Sequence, residues 1–224
     1  TNLSYNVRPW LTLGTSSSLI HTHSESPRTL GNKSANGASF AQHVAPIYPI
    51  HRHDPLTGEY LKDRDGNLIY DHDSSRPFTP KYNPIELAYK DLSVTERDVL
   101  VTRSFIDLKP IEGLKLTLNV NYDLTNLRSK TRYAKGTGDQ PQGSLYYSSD
   151  RVTTLTANQL ANYSRSFGDH ELDALLGHES SAYRYASLEG SKEYLKFLTI
   201  DELGHYTKVG SLGSSTTNYN KESY

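Results

Sequence analysis

The sequence predicts an all-β fold of about six long antiparallel strands, and three observations predict it. The first is the stretch Leu114–Thr125, in which every even position is apolar (Leu114, Leu116, Leu118, Val120, Tyr122, Leu124) and every odd one polar (Lys115, Thr117, Asn119, Asn121, Asp123, Thr125). Successive side chains of a strand point to opposite faces, so this stretch is one two-faced strand. It is about twice the usual ~5–6 residues of a strand. The second is a set of short breaks rich in Pro, Gly and polar residues between such stretches, as hairpins require. The third is a set of very long connections between the opposite ends. A strand greasy along one face and wet along the other suits a soluble sandwich. It also suits a membrane barrel, whose strands need roughly 9–11 residues to cross.

Taken in order, a short polar strand is followed by Asn6–Trp10 and then by Leu11–His21. Val99–Leu108 is joined to Leu114–Arg132 through Lys109-Pro110-Ile111-Glu112-Gly113, and Arg151–Arg165 to Glu171–Ser187 through Ser166-Phe167-Gly168-Asp169-His170. The other ends are linked by residues 24–98, 135–144 and 191–213. The first of these holds seven prolines, from Pro27 to Pro84. Short helical turns are expected near Ala38–Val44, Ile85–Leu92 and Tyr194–Leu203. Residues 24–98 far exceed the ~2–6 residues usual for a connection in a compact domain. Short turns on one rim and long loops on the other are the pattern of an outer-membrane barrel.

Composition narrows the function classes. Twenty-four basic residues against 25 acidic give a net charge of −1, without the basic excess that nucleic-acid binding needs. The hydrophobic fraction is 35% and the mean hydropathy −0.65, and no run approaches the ~18–20 apolar residues of a membrane helix. Alternating barrel strands escape that test because alternation dilutes their hydropathy. With no cysteine there is neither a disulfide framework nor a thiolate metal site. With no methionine and Thr1 first, a processed chain or a fragment is expected. Tyrosine is abundant, 17 against 5 Phe and 1 Trp, and Tyr favours boundaries between apolar and wet surroundings. Trp10, Tyr122, Tyr146, Tyr147, Tyr163, Tyr183 and Tyr185 are candidates for aromatic girdles, with Tyr122 the poorest fit at mid-strand.

Chemical motifs are weak. His21-x-His23 and His51-x-His53 each put two imidazoles on one side of a strand, but no further ligand stands at a telling spacing, and polar loop histidines explain them better. Asp63-x-Asp65-Gly66-Asn67 departs from a calcium loop. Its glycine comes fourth instead of sixth, and Ser74 occupies the position of the bidentate Glu. The Asp-Gly pair reads as a turn joining Tyr60–Lys62 to Leu68–Tyr70. Asp169 and His170 stand in a turn where local hydrogen bonding is their ordinary role. There is no nucleophile elbow, phosphate loop or zincin signature. No catalytic, cofactor-binding or metal residue is therefore singled out, and no enzyme activity or cofactor is expected.

Three segments resemble one family. Phe105-Ile106-Asp107-Leu108-Lys109-Pro110-Ile111-Glu112-Gly113-Leu114-Lys115-Leu116 is similar to a mid-barrel hairpin of the SusC-like (RagA-like) TonB-dependent outer-membrane transporters of Bacteroidetes. Phe167-Gly168-Asp169-His170-Glu171-Leu172-Asp173-Ala174-Leu175-Leu176-Gly177-His178-Glu179 resembles a recurring segment of that family. Pro46-Ile47-Tyr48-Pro49-Ile50, followed by Asp63–Asp71, resembles its large extracellular loop.

The resemblance implies that residues 1–224 are a slice of one large transmembrane β-barrel domain. Residues 24–98, 135–144 and 191–213 would be extracellular loops containing short helices, and the turns near 8–10, 109–113 and 166–170 periplasmic. Plugged transporters have roughly 22 strands, and neither a plug nor a TonB box is among these residues. The implied partners are the remainder of the barrel, a SusD-like surface lipoprotein, TonB acting through the plug, and outer-membrane lipid. The implied function is import of an oligomeric nutrient, a glycan or a peptide, across the cell outer membrane. Leu114, Leu116, Leu118, Val120 and Leu124 would face lipid, and Lys115, Asn119, Asn121 and Asp123 the lumen. Tyr48, His51, His53 and Tyr60 are the loop residues proposed to meet substrate or partner. The alternatives are a soluble all-β carbohydrate-binding or adhesin domain and, lower, a β-sheet glycosidase fragment.

Overall fold

The computed structural model describes residues 1–26, 42, 45, 47–72, 75, 82–136, 141–196 and 200–224. It is one antiparallel sheet of seven strands in chain order: β1 (Asn2–Arg8), β2 (Leu11–Ser26), β3 (Leu92–Ile111), β4 (Leu114–Tyr133), β5 (Ser144–Phe167), β6 (His170–Leu195) and β7 (Tyr206–Ser223). Every neighbour in sequence is a neighbour in space. The expected all-β fold is observed, with seven strands in place of about six, because Tyr206–Ser223 forms a full strand against β6.

The strands run well past the expected bounds. β2 continues to Ser26 and β3 begins at Leu92, so this connection is 27–91; the other two are 134–143 and 196–205. The helix expected near Ile85–Leu92 is α1 (Pro84–Lys90), and Leu92 already belongs to β3. The helix expected at Tyr194–Leu203 is corrected. Tyr194 and Leu195 close β6, and among the described residues only a single 3-10 turn forms, at Leu203–His205. The expectation at Ala38–Val44 lies outside the described residues, Gln42 excepted.

The three short turns fall at one end of the sheet: Pro9–Trp10, Glu112–Gly113 and Gly168–Asp169. Gly113 takes φ +82°, and a Cβ there would stand 2.6 Å from the carbonyl oxygen of Ser164. Both conformation and space therefore demand glycine at that turn. All long connections leave from the opposite end.

Register decides which side chains share a face. Leu116 stands opposite Leu108 and Ala161, and Leu108 opposite Leu11; Ala161 in turn faces Leu176. Leu118 lies opposite Ile106, and Ile106 opposite Leu13. The apolar positions of β4 thus share a face with apolar residues of the neighbouring strands, interrupted on β2 and β3 by the paired hydroxyls Thr15–Ser104 and Ser17–Thr102 beside Val120 and Tyr122. The apolar face ends abruptly. The row Leu19–Leu100–Leu124 is followed by the row His21–Asp98–Asn126, so three strands turn polar at the same height, beside a β5 already polar at Thr153 and Arg151. The ten residue steps from Leu114 to Leu124 cover about 34 Å at ~3.4 Å each, or about 24 Å of height at ~45° tilt.

Nothing among the described residues covers this face. Leu19 is 76% exposed and Leu176 74%. The apolar core consists of Leu145, Leu195 and Tyr206 with Leu203 beside them, and it sits at the long-connection end. The apolar face thins toward β5 and β6, where Gln159 and His178 oppose one another and hydrogen-bond at 2.6 Å. The tyrosines divide between faces. Tyr147 and Tyr163 share the leucine face. Tyr146, Tyr183 and Tyr185 lie on the polar one, where Tyr183 stacks on Tyr219 at 4.7 Å and Tyr185 donates to Asp150. The girdle expectation therefore fails for those three, because their parity along β5 and β6 turns them to the other side.

Candidate binding surfaces

Two surfaces carry the functional candidates: the folded part of connection 27–91 and the polar face of the sheet. In the connection, bridges His51–Tyr70, His53–Tyr60 and Lys62–Leu68 tie three short extended segments together. The segment 60–70 turns at Asp63–Asn67 as expected. The Asp63 carboxylate accepts from the backbone N–H groups of Asp65 and Asn67 at 2.9 and 2.8 Å, and from the Asn67 amide. The backbone hydrogen bond from Asn67 leads the effects that lower the pKa of this exposed carboxyl. Its oxygens serve the turn, as an Asx motif does. Among the described residues no three His, Asp or Glu side chains gather as metal ligands do.

The expected contact residues His51, His53 and Tyr60 come together. His51 lies 4.7 Å from the Tyr70 ring and edge-on to Tyr60 at 6.1 Å, and His53 lies 4.4 Å from Tyr60. Lys90 caps the row with its ammonium 5.3 Å from the Tyr70 centroid. Tyr48 does not join this stack; its N–H donates to Ala45 O.

The row is held by α1. Asn83 caps the helix, accepting from Glu86 N at 3.2 Å while its amide donates to Ile50 O and Asp71 O, and Pro84 fills the first turn. Glu86 is buried and bonds His72 and Lys90, the latter at 2.7 Å. Burial opposes its ionisation, but the hydrogen bonds from His72 and Lys90 outweigh it and hold the carboxyl below its usual value. Arg132 of β4 donates to Lys90 O and pairs with Asp201, and Asp91 accepts from Ala134 N, so the sheet end anchors α1 and connection 196–205 together. A cavity of about 590 Å³ lies between hairpin and helix, bordered by Arg52, Tyr70, His72, Glu86 and Lys90.

Sequence reading missed Asn83, Glu86, His72 and Tyr70. The Asn-Pro-x-Glu start of α1 is a helix-start signature that would have marked the first two. Nothing in sequence brings His72 or Tyr70 to them.

On the polar face, Lys115 pairs with Asp107 at 3.1 Å, and Thr117 donates to the same carboxylate at 2.7 Å. Asn119 stands opposite Asn158, and Asn158 opposite Glu179. The amides run on from one to the next at 3.4 Å each, Asn119 to Asn158 and Asn158 to Glu179. Asn121 shares this face and, with Arg103 and Phe105, borders a cavity of about 620 Å³. Asp123 is on it too, opposite Val101 and Thr154. Across these strands the His-x-His at 21 and 23 is turned to carboxylates, His21 Nδ1 hydrogen-bonding Asp98 at 2.7 Å and His23 Nδ1 lying 3.7 Å from Glu96.

These features define a class: a meandering antiparallel wall, apolar on one face and polar on the other, with short turns at one end and structured loops at the other. The same fold occurs in solved structures. The chain is similar to chains of the RagAB peptide transporter (TM-score 0.70, 18% identity) and of the RagAB peptide importer in its closed-closed (0.73, 20%) and open-open states (0.68, 19%). In each case 98% of this chain aligns, over 24% of the other chain, so it spans about a quarter of the length of the structures it matches. No family model matches, and no curated protein does.

Proposed function

We propose that this chain is a wall segment of a TonB-dependent outer-membrane importer of oligomeric nutrients, working with a SusD-like surface lipoprotein. The observation that carries the reading is the uncovered leucine face that stops at one charged row. Its height of about 24 Å matches the ~25 Å apolar band of outer-membrane barrels. In water, a sheet with leucines so exposed would need a second layer, and none exists among the described residues. In lipid the face is satisfied as it stands. Among the described residues the outer edges of β1 and β7 pair with nothing, and lipid tolerates no open edge, so further strands of the same barrel complete it.

On this reading Leu114, Leu116, Leu118, Val120 and Leu124 face lipid, and Lys115, Asn119, Asn121 and Asp123 the lumen. The turns at 9–10, 112–113 and 168–169 are periplasmic and the long connections extracellular. His51, His53 and Tyr60, with Tyr70 now added, form the ridge that meets lipoprotein or substrate, and Tyr48 stands apart from it. The likeness to a peptide transporter favours peptides over glycans as cargo. The roles of TonB and the plug come from the family resemblance.

Fractionation tests the reading. The parent protein, expressed with its leader, should sediment with outer membranes and require detergent for extraction. Recovery in the periplasm without detergent would refute it and favour the adhesin alternative.

A further inference from the structure

We propose that Arg128, Arg151 and Arg184 form, at the margin of the leucine face nearest the long connections, a site for the phosphorylated headgroup of a membrane lipid whose acyl chain lies in the groove beside them. The proposal rests on reading that face as lipid-facing. The three arginines share the face on adjacent strands. Arg151 stands opposite Asn126, and Arg184 opposite Thr153, so Arg128 and Arg184 each lie one diagonal step from Arg151, about 7–8 Å at the backbone. Each is within two same-face positions of an apolar residue of its own strand, Leu124, Leu155 and Ala182, so the cations follow the border of the apolar band. All three are exposed, and among the described residues none makes a hydrogen bond or ion pair.

The other charges of this margin are matched within the chain. Arg132 pairs with Asp201, and Lys130 lies 3.9 Å from Glu202. On β3, Asp98 is bonded to His21; Glu96 stands opposite Arg128 in register, but its carboxylate lies 3.7 Å from His23 and makes no ion pair with that arginine. Guanidinium groups bind phosphate bidentately, and basic clusters at the headgroup level of a membrane recruit anionic lipids. Beside Arg151 and Arg184 opens a groove of about 550 Å³, bordered also by Tyr122, Leu155, Ala182 and Asn218. Tyr122, Leu155 and Ala182 stand in one register row, nearer the short turns than either arginine. The groove therefore has cations at its outer end and apolar side chains toward mid-membrane, the polarity of an anionic lipid. It also gives Tyr122 a place, since a mid-strand tyrosine cannot serve a girdle. Interfacial exposure explains one free arginine. It does not explain three that follow the apolar border across adjacent strands and open on a groove of matching polarity.

The test uses the purified full-length parent in detergent, with a diphosphorylated glycolipid (lipid A), its dephosphorylated form and inorganic phosphate as probes, read by native mass spectrometry and melting temperature. The phosphorylated lipid should stay bound and raise the melting temperature, and dephosphorylation should weaken binding at least about tenfold, the scale of one charge-assisted bond. Arg151→Gln, at the centre of the diagonal, should weaken the phosphorylated lipid about tenfold and leave the dephosphorylated form unchanged. Arg103→Gln, on the opposite face of the sheet, should change neither. Equal affinity for the two lipids would overturn the proposal, as would equal weakening by Arg103→Gln and Arg151→Gln, which would mean that overall charge alone is at work. Equal protection by inorganic phosphate at the same concentration would overturn it too, by making this a free-anion site. The comparison of the two lipids on the unaltered protein decides the matter even if Arg151→Gln does not fold. Fractionation reports separately on the barrel reading: a parent found in the outer membrane that shows no preference for the phosphorylated lipid rejects this site alone.

Discussion

Val120→Lys puts a charge near the middle of the leucine face. Val120 lies six residue steps from Leu114 and four from Leu124, about 14 Å and 10 Å in height from the two borders at ~3.4 Å per step and ~45° tilt. Its direct neighbours are Ser104 and Ala157, and Ser104 is already bonded to Thr15. No partner is at hand for an ammonium. A lysine at that depth of a barrel costs about 2–4 kcal/mol, falling to about 0–1 near the interface. Leu124→Lys, beside the His21–Asp98–Asn126–Arg151 row, should therefore cost under about 1 kcal/mol, and Asn121→Lys, on the opposite face at the same depth as Val120, less still. The assay is urea unfolding of the full-length protein in lipid vesicles, followed by tryptophan fluorescence and by heat-modifiable gel mobility. The depth profile discriminates, because a soluble core would penalise lysine at 120 and 124 alike. Equal losses at those two positions, or a loss at 121 as large as at 120, would refute the lipid assignment.

Three further outcomes are expected. Asn83→Ala removes the cap of α1 and two bonds that tie it to Ile50 and Asp71; it should lower local stability by about 1–3 kcal/mol, read as faster hydrogen exchange over 50–71 and 84–90 with the strands unchanged. Glu86 ionises more readily folded than unfolded, so its contribution is present above its ordinary pKa of 4.5 and lost as pH falls through the lower folded value; protease sensitivity of this connection should rise below that point, and Glu86→Gln should flatten the dependence. Gly113→Ala meets both φ +82° and the Ser164 carbonyl and should slow assembly of the β3–β4 hairpin or cost about 1–3 kcal/mol, measured in the same vesicle titration.

How far the sequence was legible follows from how each part is stabilised. The walls were readable because a strand facing two solvents must alternate, and Leu114–Thr125 alternates without a break. The turns were readable because Gly113 and Gly168 occupy φ values that other residues avoid. The seventh strand was not readable. Tyr206–Ser223 is dominated by Ser, Thr, Asn and Gly, so its two faces scarcely differ, and its register comes from β6 rather than from its own pattern. Weakly alternating strands carry little positional information of their own.

The candidate sites divide along the same line. Asn119 and Asn121 were found because they alternate with leucines. Asn158 and Glu179 did not stand out, because each lies in a less regular strand and comes into line with Asn119 only through a register that sequence does not disclose. In the loop, His51, His53 and Tyr60 stood out by residue type. What orders them is a buried polar frame of Asn83, Glu86 and Asp91, assembled from segments tens of residues apart and anchored by Arg132. Each buried polar group there is satisfied by another, and removing any one leaves its partners unpaired at a cost larger than the bond itself was worth. A loop ordered in this way behaves as a preformed surface, since its ordering cost is met within the chain before any partner arrives. On the reading proposed above, the His–Tyr ridge would meet its partner as a nearly rigid body, with Arg132 tying α1 to the end of β4.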